Sequence, residues 1–300
     1  TEIINKSFRM LEKFGKFRYL KMSDADPTFA GSLKERYIIS EALLKSRYGA
    51  VAYSESGDLS VMINEEDHLR EQYLVRGSDL AGAFSKLARL DDWLNLTLNF
   101  CKNERLGYVT ACPTNLGTGM RASLMTFLPG HTKLGRIDEL TDRAAELDLT
   151  VRGAFGEGSG GDSYLYQISN EVTLGKSEIK SVKSFVEEVA AEELELQRVY
   201  YRSDETAIED VIFRSLGTLL YCRKISYAEF SSALSDVKLG VLLGFIKVRS
   251  VEALDDLLVC ARPCYLSELC KARMSDNSPA VRDVLRAEFI REKLGTLVID

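Results

Sequence analysis

Cys112-Pro113-Thr114-Asn115-Leu116-Gly117-Thr118-Gly119-Met120-Arg121 is the stretch on which the reading of this sequence turns. It sets a cysteine at the head of a turn-rich loop and an arginine at its end, with Pro, Asn and Gly as the local breakers. Taken alone, such a loop is equally a structural turn beside a core thiol. Upstream, Gly107 to Ala111 reads as a short strand, and 74–102 as helical, with Leu90-Asp91-Asp92-Trp93 inside. Further upstream, Val51 and Tyr53 alternate on one side of Ser56-Gly57-Asp58, and Leu59, Val61 and Ile63 on the other, which predicts a hairpin. Asn64-Glu65-Glu66-Asp67-His68-Leu69-Arg70 therefore sits at a strand end and lines up three carboxylates. Downstream, a helix from about Lys133 to Leu147 leads into a second hairpin, Leu149 to Phe155 and Ser163 to Ser169, joined by GEGSGGD. That strand delivers Arg152 into a glycine-rich loop bearing Glu157.

From Ser177 onward the pattern changes. Ile179, Val182, Phe185, Val186, Val189 and Ala190 recur at helical spacing, and nearly every later segment reads as helical, so strands are expected to end near Thr173. The predicted fold class is α+β: an antiparallel sheet flanked by helices over residues 1–200, then an all-helical domain over 203–300. Arg202-Ser203-Asp204-Glu205 is the expected join.

Composition narrows the function classes. The 300 residues, 45% hydrophobic and 28% charged, suffice for one sizeable core or two modest ones. No run of eighteen apolar residues and no charged-then-apolar leader occurs, so no membrane or export is expected, and the cytoplasm is the expected compartment. A net charge of -6 argues against direct nucleic-acid binding through neutralised phosphates. Six cysteines without paired CxxC spacing, and two histidines, point to free thiols and to no protein-held metal site. The P-loop pattern GxxxxGK[ST] and the HRD and DFG landmarks are missing from the sequence, so any nucleotide site is of another kind.

In this order, NEEDH (64–68), CPTNLGT (112–118) and RGAFGE (152–157) resemble the landmarks of the ATP:guanidino phosphotransferases, the family of creatine and arginine kinases. The resemblance implies ATP and Mg2+ as cofactors, with magnesium held mainly by phosphates and water. It assigns Arg70, Arg121 and Arg152 to the nucleotide phosphates, where planar forks suit bidentate binding. Ala122, Ser123, Leu124 and Met125, and Gly153, Ala154, Phe155 and Gly156, are the nucleotide-side neighbours by the same match. Glu66 and Glu157 would grip the acceptor guanidinium and remove its proton, and Cys112 would lie beside it as a thiolate.

The branch resembled is that of the bacterial protein-arginine kinases. With NEEDH already at residue 64, the helical domain that precedes it in creatine and arginine kinases is not expected here, while ISNEVTLGKSE (168–178) and LSDVKLGVLLGFI (234–246) extend the match. Arg282-Asp283-Val284-Leu285-Arg286-Ala287 matches an RDxxRA motif that implies an allosteric phosphoarginine pocket at Arg282, Asp283, Arg286 and Ala287. Ser278-Pro279 offers an N-cap and first-turn proline, placing Arg282 and Arg286 one turn apart on a helix. Implied partners are protein substrates with exposed arginine, an activator, a transcriptional repressor, a Clp-type ATPase and a second copy of the chain. Two features depart from the pattern. No upstream SSRxRLxRN-type motif is present, and an N-terminal stretch preceding Thr1 is expected to carry it. Tyr37 stands where the branch offers ATP a histidine. The rival expectation is a catalytically impaired fold that reads phosphoarginine.

Overall fold

The hairpin expected around Ser56-Gly57-Asp58 is present in the computed structural model, which describes residues 2–153, 163–173, 178–274 and 276–299. The chain begins with α1 (Glu2–Phe14), β1 (Phe17–Lys21), α2 (Pro27–Glu35) and α3 (Glu41–Lys45). Strands β2 (Ala50–Ser54), β3 (Leu59–Ile63) and β4 (Leu69–Tyr73) follow and complete an antiparallel sheet of order β1-β2-β3-β4. Register is fixed at the turn, where the Asp58 carboxylate accepts from Ser54 at 2.6 Å and Ser56 at 2.5 Å, and Gly57 supplies a φ of 76°.

Period-two alternation buries both faces of this sheet. Val51, Tyr53 and Met62 pack with Leu33, Ile38 and Leu43 of the α2–α3 segment. Ala50, Ala52, Val61 and Ile63 pack with Ile4 and Leu11 of α1 and with Leu90 and Leu94 of α4 (Leu80–Leu98). Each such leucine contributes about 1.5–3 kcal/mol of burial. The helix is shorter than the expected 74–102: Asp79 caps its first turn, and Asn99, at φ 50°, ends it in the left-handed region. Trp93 donates its indole N–H to the Met10 carbonyl at 3.0 Å, tying α4 to α1.

Next come β5 (Lys102–Asn103), β6 (Gly107–Tyr108), β7 (Ser123–Phe127), α5 (Pro129–Lys133), α6 (Ile137–Glu146), β8 (Leu149–Gly153) and β9 (Leu165–Asn170). β7, β9 and β8 form a sheet in that order. The expected strand 107–111 shrinks to two residues. A Cβ on Gly107, whose φ is 72°, would lie 2.2 Å from the Gly117 oxygen, and the chain beyond Tyr108 turns its donors elsewhere. The expected helix 133–147 begins at Ile137 because Gly135, at φ 68°, separates it from α5.

The remaining elements are α7 (Glu178–Ser203), α8 (Glu205–Tyr221), α9 (Tyr227–Leu242), β10 (Lys247–Val248), α10 (Glu252–Cys260), α11 (Pro263–Leu269), α12 (Pro279–Leu297) and β11 (Val298–Ile299). Asp204 alone separates α7 from α8 and caps the latter through the Ala207 amide. Strands do not end near Thr173. Lys247 and Val248 pair antiparallel with Ile299 and Val298, satisfying backbone groups that the helix ends leave open.

Two compact units result, each discontinuous in sequence. Unit 1 comprises 1–124, 147–149 and 169–184; unit 2 comprises 125–146, 150–168 and 185–300. Among the described residues no helix is long and apolar enough to cross a membrane.

Candidate active site

The acidic turn between β3 and β4 is the first piece of the site. Asn64 adopts φ 56°, its amide N–H reaches the His68 carbonyl at 3.0 Å, and its side chain donates to the Tyr48 carbonyl at 3.3 Å. Of the three carboxylates, Glu65 turns inward. It accepts from the Ser40 hydroxyl at 2.6 Å, the Glu66 amide at 2.8 Å and the Arg70 guanidinium at 3.1 Å. Burial pushes its pKa up, but these donors outweigh burial and hold the group below its ordinary 4.5. Ser40 also caps α3 by accepting from Leu43, so one hydroxyl ties that helix to the turn. Glu66 and Arg70 are exposed, and Asp67 is half-buried.

Asp67 links this turn to the cysteine loop by accepting from the Ala111 amide at 2.6 Å. In that loop Thr110 donates to the Cys112 carbonyl at 2.8 Å, and the Cys112 sulfur lies 3.0 Å from the Thr114 hydroxyl. Pro113 opens a single 3-10 turn, Pro113–Asn115. The loop is then clamped from the far side of the sequence. Buried Thr173 donates to the Leu116 carbonyl at 2.6 Å and to Thr114 at 3.1 Å, while its own carbonyl accepts from Thr118.

Asn170 does the same for Arg121. Its side-chain oxygen accepts from the Ala122 amide at 2.7 Å, and its amide donates to the Met120 carbonyl at 3.0 Å. The arginine is the middle residue of a bight whose two ends are held by one side chain that is itself 3% exposed. Sequence reasoning gave Asn170 and Thr173 no role. The available signal was two short polar side chains at the end of a hydrophobic strand, where a bound backbone is their usual partner.

Tyr37 reaches the same neighbourhood. Its backbone is left-handed at φ 62°, and its carbonyl accepts from Gln72, which shares a face of β4 with Arg70 by the period-two rule. Unit 1 thus carries Tyr37, Glu66, Arg70, Cys112, Arg121, Ala122, Ser123 and Leu124. Met125, Arg152 and Gly153 belong to unit 2, and Arg152 and Gly153 are exposed at the end of β8. Ala154, Phe155, Gly156 and Glu157 lie outside the described residues.

On α12 the expected one-turn spacing of Arg282 and Arg286 holds, with Ser278 as N-cap and Pro279 following. The two side chains differ in environment. Arg286 is 1% exposed and donates to the carbonyls of Ala261 and Ile225, each at 2.9 Å, and to Asp283 at 2.6 Å. Burial pulls its pKa below the ordinary value while Asp283 works against that. Arg282 is half-buried and donates to Asn277. Ala287 is fully buried.

Residues 1–195 match the ATP:guanido phosphotransferase C-terminal catalytic domain, and residues 205–298 match the protein-arginine kinase McsB C-terminal domain. The protein-arginine kinase of Geobacillus stearothermophilus is 41% identical over 284 residues, 93% of this chain and 77% of that one. That of Bacillus cereus strain B4264 is 39% identical over 298 residues, 98% of this chain and 83% of its own. Among solved structures, lombricine kinase superposes with a TM-score of 0.58 at 23% identity, covering 66% of this chain and 60% of that one, a likeness of fold.

Proposed function

Because the chain belongs to the ATP:guanido phosphotransferase family, in its protein-arginine kinase branch, we propose that it transfers the ATP γ-phosphate to arginine side chains of proteins. The observation that carries this reading is the pair of ties in unit 1: Asp67 to Ala111, and Asn170 around Arg121. They hold an acidic turn, a cysteine loop and a cationic bight in one body, which is what a guanidinium acceptor and a polyanionic donor together require.

Phosphoryl transfer leaves little covalent work for the protein, so positioning and charge dominate. Exposed Arg70, with Arg121 and Arg152, supplies guanidinium forks for phosphate oxygens. Glu65 keeps the Arg70 side chain placed from one side. An arginine acceptor enters planar and protonated; Glu66 and Glu157 orient its nitrogen and take its proton. Cys112, beside the Thr114 hydroxyl, lies next to that acceptor. Mg2+ would accompany ATP, held mainly by phosphate oxygens and water. Tyr37 stands at the nucleotide edge.

By the same reading, residues 1–200 form the catalytic domain and 203–300 a regulatory one. In the latter, Arg282, Asp283, Arg286 and Ala287 form the phosphoarginine site, with Arg282 as the accessible fork and Arg286 holding Asp283. The expected setting is the cytoplasm, as a homodimer acting with an activator, a repressor and a Clp-type ATPase in the stress response. Relatives named as kinases at 39–41% identity do not favour the rival reading of a mere phosphoarginine reader.

The test is mass spectrometry of a basic protein incubated with the chain and Mg-ATP. Phosphoarginine that disappears in Glu157→Ala, with the variant still folded, is the expected result. Undiminished transfer by that variant would remove the assignment.

A further inference from the structure

A buried polar cluster in unit 2 joins α9 to the start of β9. Asp236, 8% exposed, accepts from the Tyr164 hydroxyl at 2.9 Å on one oxygen and from the Ser215 hydroxyl of α8 at 3.0 Å on the other. Next to it, Ser235 donates to the Ser163 carbonyl at 3.0 Å. Lys238, on the same helix, pairs with Asp255 at 2.5 Å and lies 4.6 Å from the ring of Phe127, the last residue of β7. Helix α9 therefore grips the end of β7 and the entry to β9, two neighbouring strands.

Tyr164 is the point where this grip matters. It is 4% exposed and has a φ of 51°, a left-handed backbone that a bulky residue occupies only when its surroundings over-determine it, at a cost of about 1–3 kcal/mol. Its carbonyl accepts from the Leu128 amide at 2.7 Å, its ring lies 5.9 Å from that of Phe127, and the Lys133 ammonium is 5.1 Å from its centroid. Beside the hold that Ser235 places on the Ser163 carbonyl, the hydroxyl on Asp236 is the side-chain restraint of this residue that comes from the helical region. Releasing it lets the residue relax and the start of β9 shift. β9 is the central strand of its sheet, and β8 beside it carries Arg152.

We propose that Asp236 is a positioning residue for phosphoryl transfer: through the Tyr164 hydroxyl it fixes the entry of β9 and so the placement of the Arg152 strand. This rests on the reading of Arg152 as a phosphate ligand. A carboxylate suits the position because it offers two acceptors to two hydroxyls from different elements, and the desolvation of its charge is offset only while both are present.

Three variants test it, assayed well below their unfolding temperatures. Tyr164→Phe removes the hydroxyl and keeps the ring. Ser215→Ala removes the other donor and leaves β9 alone. Asp236→Asn keeps an acceptor for the tyrosine. A merely structural role reduces the active fraction and lowers kcat alone, whereas a displaced phosphate ligand also raises KM for ATP. Tyr164→Phe is expected to raise KM for ATP about three- to tenfold and lower kcat, Asp236→Asn to raise KM in the same direction by a smaller factor because one of its two acceptors is lost, and Ser215→Ala to stay within about twofold of the parent. Amide exchange at residues 165–168 should quicken in Tyr164→Phe and not in Ser215→Ala. An active parent whose Tyr164→Phe variant keeps parental KM, kcat and exchange overturns this proposal only. A parent that transfers no phosphate to arginine overturns the functional reading as well.

Discussion

Arg70 and Arg286 each stand in a motif read from sequence as a cationic grip, yet they are used in opposite ways. Arg70 sits on an edge strand with its side chain 50% exposed and, among the described residues, is paired with Glu65. Arg286 sits inside the helical region and spends its donors on two main-chain carbonyls and Asp283. The difference is set by neighbouring backbone. Beside β4 the Arg70 side chain stands half in solvent and, among the described residues, no main-chain carbonyl accepts from it, which leaves donors of the guanidinium for a ligand. Around α12 the Ala261 carbonyl at the C-terminal end of α10 and the Ile225 carbonyl in the loop between α8 and α9 need donors, and a buried fork satisfies both.

The comparison can be broken most directly at Arg286. Its replacement by alanine strands two carbonyls and a carboxylate, and should cost about 3–5 kcal/mol in denaturant unfolding, against less than about 1 for Arg282→Ala. Equal small losses would show that Arg286 is not a structural group. Arg70→Ala should do the reverse, lowering transfer about 10²- to 10³-fold at a stability cost below about 1 kcal/mol from the half-exposed pair with Glu65, as read by initial rates and denaturant unfolding. Asn170→Ala should show both effects in moderation, about 1–3 kcal/mol in stability together with a raised KM for ATP, because it unties the bight around Arg121. The smallest effect is expected from pH. Glu65 has a folded pKa below its ordinary 4.5, so its contribution is fully present above that value and is lost as pH falls through the folded pKa. Ser40→Ala removes a donor to the carboxylate, so the acid limb of the stability profile should move to higher pH. An unmoved limb would mean that the other donors suffice.

What the sequence disclosed was whatever depends on short-range pattern. Val51, Tyr53, Val61 and Ile63 alternate, so β2 and β3 were legible, as was α12 from Ser278-Pro279. Family likeness, and not pattern, is what singled out Arg70, Cys112 and Arg121 as candidates. Hidden were features that need partners distant in sequence. Nothing near Asn170 announces that it holds Met120 and Ala122, and nothing near Val298 announces its pairing with Val248. Burial of Arg286 was hidden for the same reason: its acceptors lie 25 and 61 residues away.

Trp93 is the single tryptophan of the chain, and it lies in unit 1 with its indole tied to Met10. Fluorescence excited selectively in the indole band thus reports one half of the molecule, whereas far-ultraviolet dichroism averages over both. Superimposed melting curves from the two signals would mean that the units unfold as one cooperative body, and separated curves that each has its own stability. The protein comes with an optical label already installed on the unit that bears Glu66, Arg70 and Cys112.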